Sequence, residues 1–365
     1  MVGSSALAEL VQPDRVHRRV YTDPAIFDAE MRLIFGRTWV FVGHESEVAH
    51  PGDYKAAYIG RQPMVMSRHT DGQVYVLYNR CMHRGALVCR EESGNSKFFR
   101  CLYHGWTYAN DGALSGVPFR SGYPPDFDFD SLGLMRVPRA ASYRGFVFAS
   151  LSPEGQCLED FLGPAKRSID AIVQMSPEGR IEARQGVIKY EFRGNWKYQC
   201  ENFVDHYHAT FTHESAFASR YVGKDRAKLG QEARDAAEVR AYPHGHGEMF
   251  HPSDTRADEK FNLADGYLGA LEAAHGRDRV AEILSGDLNI MIYPNLLFQQ
   301  HSQSFRIIRP LAVDHTQVLV YPYRLPGAPE TANDQKVRSV SWWASASGTG
   351  QPDDLEAFER IQEGL

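Results

Sequence analysis

The sequence predicts an α+β protein of two domains: a small antiparallel β-domain, then a larger domain combining helices with a second antiparallel sheet. Three observations carry this. The chain has 365 residues, more than one hydrophobic core comfortably organises. Between Trp39 and Ser150, short β-rich runs are broken by Pro51-Gly52, Asp71-Gly72 and Asp111-Gly112, each a turn signal. Beyond them, segments of helical spacing alternate with a further set of strand-like runs. The expected division is 1–38 as an N-terminal arm and helix, 39–150 as the β-domain and 151–365 as the second domain.

Taken in order, residues up to about Arg19 are mixed and form a loose arm. From Pro24 to Arg37 the apolar positions Ile26, Phe27, Met31, Ile34 and Phe35 fall on one side of a helix. Trp39 to Gly43 switches to an extended pattern. Strands are then expected at Tyr54–Ile59, Met64–Met66, Val74–Tyr78, Phe98–Arg100, Trp106–Tyr108 and Gly145–Ser150. A helical stretch from Leu158 to Met175 and a strand at Val187–Phe192 lead to a helix starting near Asn195. The polar, glycine-punctuated segment Arg220–His251 reads as loop or mobile cover. A helix over Asp265–Leu284 follows. Leu288–Tyr293, Asn295–Gln300, Ser304–Ile308 and Val318–Tyr323 then form the second sheet. Pro329–Asp334 reads as a loop, and a short terminal helix begins at Asp353.

Composition excludes several classes. Apolar residues make up 43% and charged residues 24%, which is ordinary for a soluble globular protein. A net charge of −6 without any basic run gives no footing for nucleic acid or an anionic membrane. No apolar stretch reaches spanning length, and the N-terminus lacks a basic-then-apolar leader, so a cytoplasmic location is expected. Five cysteines are too few for a disulfide framework in so long a chain. Cys89, Cys157 and Cys200 are expected to be buried free thiols.

The other two cysteines belong to a pattern. Cys81-Met82-His83 and Cys101-Leu102-Tyr103-His104 each put a thiolate and an imidazole within one loop's reach. Two Cys and two His are the ligand set of a Rieske [2Fe–2S] centre, thiolates on one iron and imidazoles on the other. Tetrahedral zinc accepts the same four donors. Zinc fingers pair like ligands at short spacing, however, whereas both short pairs here are mixed, which favours the cluster. Gly85 and Gly105 follow each histidine, where a tight turn is needed.

Glu201-Asn202-Phe203-Val204-Asp205-His206-Tyr207-His208, continuing to His213, is the second constellation. Two imidazoles and one carboxylate, with positions left open, suit non-haem Fe(II) and O2. On a helix Asn202, Asp205 and His208 share a broad face. His213 lies five residues on, roughly 500° of rotation, which would leave the imidazoles about 140° apart. The helix is therefore expected to loosen after His208. The third ligand is open between Asp205, which also suits a hydrogen bond to the imidazole, and the acidic tail Asp353-Asp354-Leu355-Glu356.

Asn79 to Ala86, Cys101 to Trp106, Asn195-Trp196-Lys197 and Glu201 to His213 together resemble the large (α) subunit of Rieske-type aromatic-ring-hydroxylating oxygenases. Trp39 to Glu47 and Pro51 to Tyr54 are similar to the opening of that family's Rieske domain. The resemblance implies a Rieske β-domain beside a helix-grip catalytic domain. It implies Cys81, His83, Cys101 and His104 as cluster ligands, and His208, His213 and Asp354 as iron ligands. It also gives Asp205 the role of bridging one subunit's cluster to a neighbour's iron. Family members usually continue well past that carboxylate, whereas this sequence stops at Leu365.

An oxygenase of this kind takes electrons from a separate NAD(P)H-dependent reductase, with or without a ferredoxin. The resemblance also implies a homotrimeric core, and a small β subunit is a further candidate partner. The competing class is a Rieske electron carrier. A ferredoxin needs only the first half of the chain, and a respiratory Rieske subunit adds a cysteine beside each ligand loop, absent here. Within the oxygenases, cis-dihydroxylation of an arene is the first reading and mono-oxygenation or demethylation the alternative. The expected substrate is benzoate-like, on the strength of Arg306. The run Ser304 to Pro310 reads as a strand in which Arg306 shares a face with Ser304 and Ile308. A guanidinium in an apolar pocket needs an anion, and its fork matches a carboxylate; an internal salt bridge is the competing role.

Overall fold

A computed structural model describes residues 7–220, 236–252 and 266–365. The chain forms two compact units, Arg32–Leu158, and Glu159–Leu365 with the described residues up to Met31. The leading segment 1–38 is thus shared between them.

The first unit contains β1 (Val40–His44), β2 (Asp53–Ile59), β3 (Gln62–Arg68), β4 (Val74–Tyr78), β5 (Ser93–Asn95), β6 (Phe98–Arg100), β7 (Thr107–Ala109), β8 (Leu114–Gly116), β9 (Arg139–Tyr143) and β10 (Phe146–Ser150). They form three antiparallel sheets, ordered β9–β10–β1, β4–β3–β2–β5 and β8–β7–β6. β2 alternates between buried and half-buried residues, so Ala57 and Ile59 enter the core. Lys55 faces the same way and is neutralised by Glu47 at 2.6 Å. β1 and β10 are buried throughout, and the Phe41 ring packs tilted against Phe146 and edge to face with Phe148 between them. Cys81 and Cys101 belong to a core shared with Val65, Leu77, Phe99, Trp106 and Tyr108.

The second unit opens with a hairpin, Val11–Gln12 against Arg15–Val16. Helix α1 (Pro24–Glu30) follows; Asp23 caps it by accepting from the Ala25 amide, with Pro24 in the first turn. Next come α2 (Leu158–Leu162), α3 (Lys166–Val173), strand β11 (Ile188–Phe192), α4 (Lys197–Phe203), α5 (Ala209–Thr212) and α6 (Glu214–Arg220). The segment read as cover, Arg220–His251, lies partly outside the described residues. What is described of it contains strands β12 (Glu238–Ala241) and β13 (Gly247–Pro252). Their glycines and charges hid a hairpin with one exposed strand, β12. The single helix expected over Asp265–Leu284 is two, α7 (Tyr267–His275) and α8 (Arg277–Ile283), broken at Gly276; Asp265 is outside the described residues.

β14 (Gly286–Ile292), β15 (Leu296–Gln299), β16 (Ser304–Ala312) and β17 (His315–Pro322) complete a seven-stranded antiparallel sheet, ordered β11–β17–β16–β15–β14–β13–β12. Pro329–Asp334 is not a loop. It starts α9 (Glu330–Ala344), whose buried side includes Asn333 and Lys336 among Ala332, Val340 and Ala344. Asn333 satisfies the Leu325 backbone and Lys336 the His301 carbonyl, so polar residues occupy positions where a sequence pattern needs apolar ones. The terminal helix α10 runs Gln351–Gly364, longer than expected. Cys89 and Cys200 are buried, but Cys157 is exposed, in the irregular segment immediately before α2. Among the described residues no helix is long and apolar enough to cross a membrane.

Candidate active site and metal centres

In the first unit, two loops share one backbone design. The Cys81 amide donates to Ala86 O at 2.8 Å and the Gly85 amide to Cys81 O at 2.9 Å; Cys101, Trp106 and Gly105 repeat this at 2.8 and 3.0 Å. Gly85 and Gly105 have φ of +76° and +70°, a left-handed conformation that disfavours a side chain. A Cβ on Gly85 would meet only the Arg80 side chain at 3.8 Å, so conformation rather than crowding requires the glycine there. Asn79 braces the first loop: its Oδ1 accepts from the Val88 and Cys89 amides, and its Nδ2 donates to Cys89 O at 2.7 Å.

The four expected cluster residues converge. Both cysteines are buried, and the His83 and His104 rings are 4.6 Å apart, His83 stacking on Trp106. His83 Nδ1 is buried with no hydrogen-bond partner. Two thiols in one core and two paired imidazoles on the same two loops, one with an orphaned nitrogen, supply the donor set of a cluster held by sulfur on one iron and nitrogen on the other. Tyr108 adds a contact that sequence reasoning missed. Its Oη accepts from the Met82 amide at 3.1 Å and lies 3.2 Å from Cys81 Sγ.

In the second unit the expected helix does not reach His208. α4 ends at Phe203, and residues 204–208 are turn and irregular backbone before α5. The loosening therefore precedes His208 rather than following it. Trp196 and Lys197, at the head of α4, are held by the buried Glu30 at 2.9 and 2.7 Å. His208, His213 and Asp354 meet, each offering a ligand atom within 4.8 Å of the others. Asp354 Oδ1 is 3.7 Å from His208 Nε2 and 3.3 Å from His213 Nε2. Asn202 Nδ2 lies 3.1 Å from both His208 Nε2 and Asp354 Oδ1.

Asp205 is not in this triad. Its Oδ2 sits 3.0 Å from His208 Nδ1, the ring nitrogen facing away from Asp354. Asp353 stands in the same relation to His213, its Oδ2 3.3 Å from Nδ1. Burial alone would lower the pKa of His213, but Asp354 and Asp353 outweigh it and hold the imidazole above its ordinary value. A site whose carboxylates draw a proton onto its own ligand has the donor set and the charge that fit a divalent cation.

Asn202, Asp205, His208, His213 and Asp354 line a cavity of ≈ 280 Å³. Arg306, on β16, also lines it and is 4% exposed. Its Nη1 donates to Gln351 Oε1 at 2.7 Å, its Cζ lies 5.1 Å from the Phe203 ring centre, and its Nε has no partner. No carboxylate pairs with it among the described residues. Sequence reasoning missed several lining residues. Trp342 and Trp343 come from α9, with Trp343 5.3 Å from the His213 ring. His206 and His251 face each other at 2.8 Å, and Asn289, Gln299 and Ser302 line the sheet side. The strict alternation of Asp287 and Asn289 with Leu288, Ile290 and Ile292 was the available signal for Asn289.

An electron-storing domain joined to a mononuclear non-haem iron domain defines a two-centre iron oxygenase. Residues 38–128 match the family model of the Rieske [2Fe-2S] domain, and 182–365 that of the ring hydroxylating alpha subunit, catalytic domain. The α subunit of toluate 1,2-dioxygenase from Pseudomonas putida is 36% identical over 384 residues, covering 100% of this chain and 83% of the relative. The large subunit of anthranilate 1,2-dioxygenase from Acinetobacter baylyi is 36% identical, covering 96% and 77%. A crystal structure of naphthalene 1,2-dioxygenase from Rhodococcus sp., bound to indole, superposes with a TM-score of 0.88 at 29% identity, covering 100% of this chain and 87% of that one. The chain belongs to the α-subunit family of Rieske ring-hydroxylating dioxygenases, terminal oxygenases that receive electrons from a reductase or ferredoxin.

Proposed function

We propose that the chain is the large subunit of an oxygenase that places both atoms of O2 on an aromatic carboxylic acid as a cis-diol. Cys81 and Cys101 would hold one iron of the cluster, His83 and His104 the other, and His208, His213 and Asp354 the mononuclear Fe(II). When bound, the cluster supplies stored electrons and the Fe(II) supplies O2 chemistry. The protein's own groups prepare this. Asp205 and Asp353 accept the Nδ1 protons of His208 and His213, which fixes the tautomer that turns each Nε2 lone pair toward Asp354. Asp205 is 44% exposed, which supports its serving as the bridge from a neighbouring subunit's cluster in a homotrimeric core, with a small β subunit as a further partner.

The observation that carries the substrate reading is Arg306: a buried cation on the cavity wall with one edge engaged and no carboxylate paired to it among the described residues. The names of the toluate, 2-halobenzoate and anthranilate dioxygenase relatives support it. The test is product analysis with a surrogate reductase, aromatic acids and isotopically labelled O2. Two labelled atoms in a cis-diol support the proposal. One labelled atom gives mono-oxygenation instead, and turnover of neutral arenes alone removes the acid.

A further inference from the structure

The proposed acid would leave one wall of the cavity unexplained. Cross-strand register arranges the pocket face of the sheet in rows. Leu297 on β15 is opposite Arg306 on β16; one step along the strands, Asn289 is opposite Gln299 and Gln299 opposite Ser304. One row is two residues, so the Asn289–Gln299 row lies about 7 Å along the strand direction from Arg306. The opposite face of β14 carries Ile290 and Ile292, both buried, so Asn289 faces the cavity because the alternation directs it there.

The hydrogen-bond state of these two amides is informative. Ser302 Oγ donates to Gln299 Oε1 at 2.9 Å, which engages the acceptor, while the Nε2 donor of this cavity-lining residue has no hydrogen-bond partner among the described residues. The Asn289 carboxamide has no hydrogen-bond partner among the described residues, although it lines the same cavity. A polar wall of this kind penalises a bare arene, because closing the pocket on it strands both amides. A group that accepts from Gln299 Nε2 and donates to Asn289 Oδ1 satisfies both. An aromatic hydroxyl does so; an aromatic amine, its lone pair drawn into the ring, is a poor acceptor.

We infer that Asn289 and Gln299 recognise a ring hydroxyl, so that the substrate is a hydroxylated aromatic acid. This rests on the aromatic-acid reading above. With the carboxylate at Arg306, the row spacing places the hydroxyl meta or para to it.

The experiment is a two-by-two panel on the enzyme loaded with cluster and iron: benzoate against 3- and 4-hydroxybenzoate, and benzamide against the matching hydroxybenzamides. The kcat/KM values are paired with equilibrium dialysis of each compound on the unreduced protein. A hydroxybenzoate preferred over benzoate by about 10-fold or more is expected. Gln299→Met and Asn289→Leu, each with wild-type iron content, should bring that ratio to within about 3-fold of unity. Equal or better use of benzoate overturns the hydroxyl inference while leaving the acid reading standing. A preference for hydroxybenzamides without preference for acids overturns the acid reading and keeps the hydroxyl. A hydroxyl preference that survives both substitutions removes Asn289 and Gln299 as its source. Failure of all these compounds to bind or turn over overturns both.

Discussion

Arg306→Gln separates a substrate-binding arginine from a structural one. The Nη1 side of the guanidinium is occupied by Gln351, while Nε has no partner. With no acidic partner among the described residues, the guanidinium can offer a carboxylate in the cavity two parallel hydrogen bonds. Two charge-assisted bonds at about 1.5 kcal/mol each give about 3 kcal/mol, or roughly 150-fold in kcat/KM. Screening by water is small because Arg306 is 4% exposed. Glutamine keeps a donor for Gln351, so α10, which carries Asp354 one turn on, retains its contact. The assay compares kcat/KM for an aromatic acid and its amide in wild type and variant. The acid should lose roughly 100-fold, mostly in KM, and the amide less than about 5-fold. Equal losses, especially with lowered iron content, would refute the reasoning and leave Arg306 as the brace of α10.

Three further outcomes are expected. Asp354→Ala should strip the mononuclear iron while the visible absorbance of the cluster survives, because only the His208–His213 set is opened; metal analysis showing a full iron complement would remove Asp354 as ligand. Asp205→Ala should retain both metal centres yet lose nearly all turnover, well beyond the 10- to 100-fold typical of an orienting partner; single-turnover reoxidation of the cluster at a normal rate would reject the bridging role. Tyr108→Phe should lower the cluster's reduction potential. A ligating thiolate has no proton, so Tyr108 must donate to Cys81 Sγ, and its oxygen is already turned by the Met82 amide. If the bond is worth about 1 kcal/mol more to the reduced state, the fall is on the order of 50 mV; an unchanged potential in an EPR-monitored titration contradicts it.

Local chemistry made much of the site legible. Cys81, His83, Cys101 and His104 stand out because their spacing is short and their backbone turns are closed by the loops themselves. His208 and His213 likewise fall within one short run. What the sequence hid depends on long-range placement. α9 was invisible because Asn333 and Lys336 are buried through partners far along the chain, Leu325 and His301, and with α9 went Trp342 and Trp343. The break after Phe203 was missed because Val204 to Tyr207 has no glycine or proline to announce it. The polar cavity wall follows from register between β13, β14 and β15, and pairing partners are not written in any one strand.

Both triad imidazoles are backed by an aspartate, yet the two pairs have different surroundings, and this predicts different failures. Asp205 stands in the irregular link between α4 and α5, its other oxygen fixed by the Tyr207 amide at 2.7 Å, and is 44% exposed. Asp353 lies in the first turn of α10 beside Asp354, behind a His213 that is 5% exposed. Both aspartates reach solvent, Asp205 at 44% and Asp353 at 31%, but the imidazole behind Asp205 is 22% exposed against 5% for His213, so an electron arriving from outside meets the more open path at Asp205 and His208. Asp353→Asn keeps the shape and removes the charge that orients His213. Iron affinity should fall about 10- to 100-fold, read by equilibrium dialysis of Fe(II) under anaerobic conditions. With iron restored in excess, reoxidation of the reduced cluster should proceed at the wild-type rate, the reverse of the pattern expected at Asp205. Normal iron affinity in Asp353→Asn, or slow reoxidation once the iron is replenished, would remove the distinction between the two aspartates.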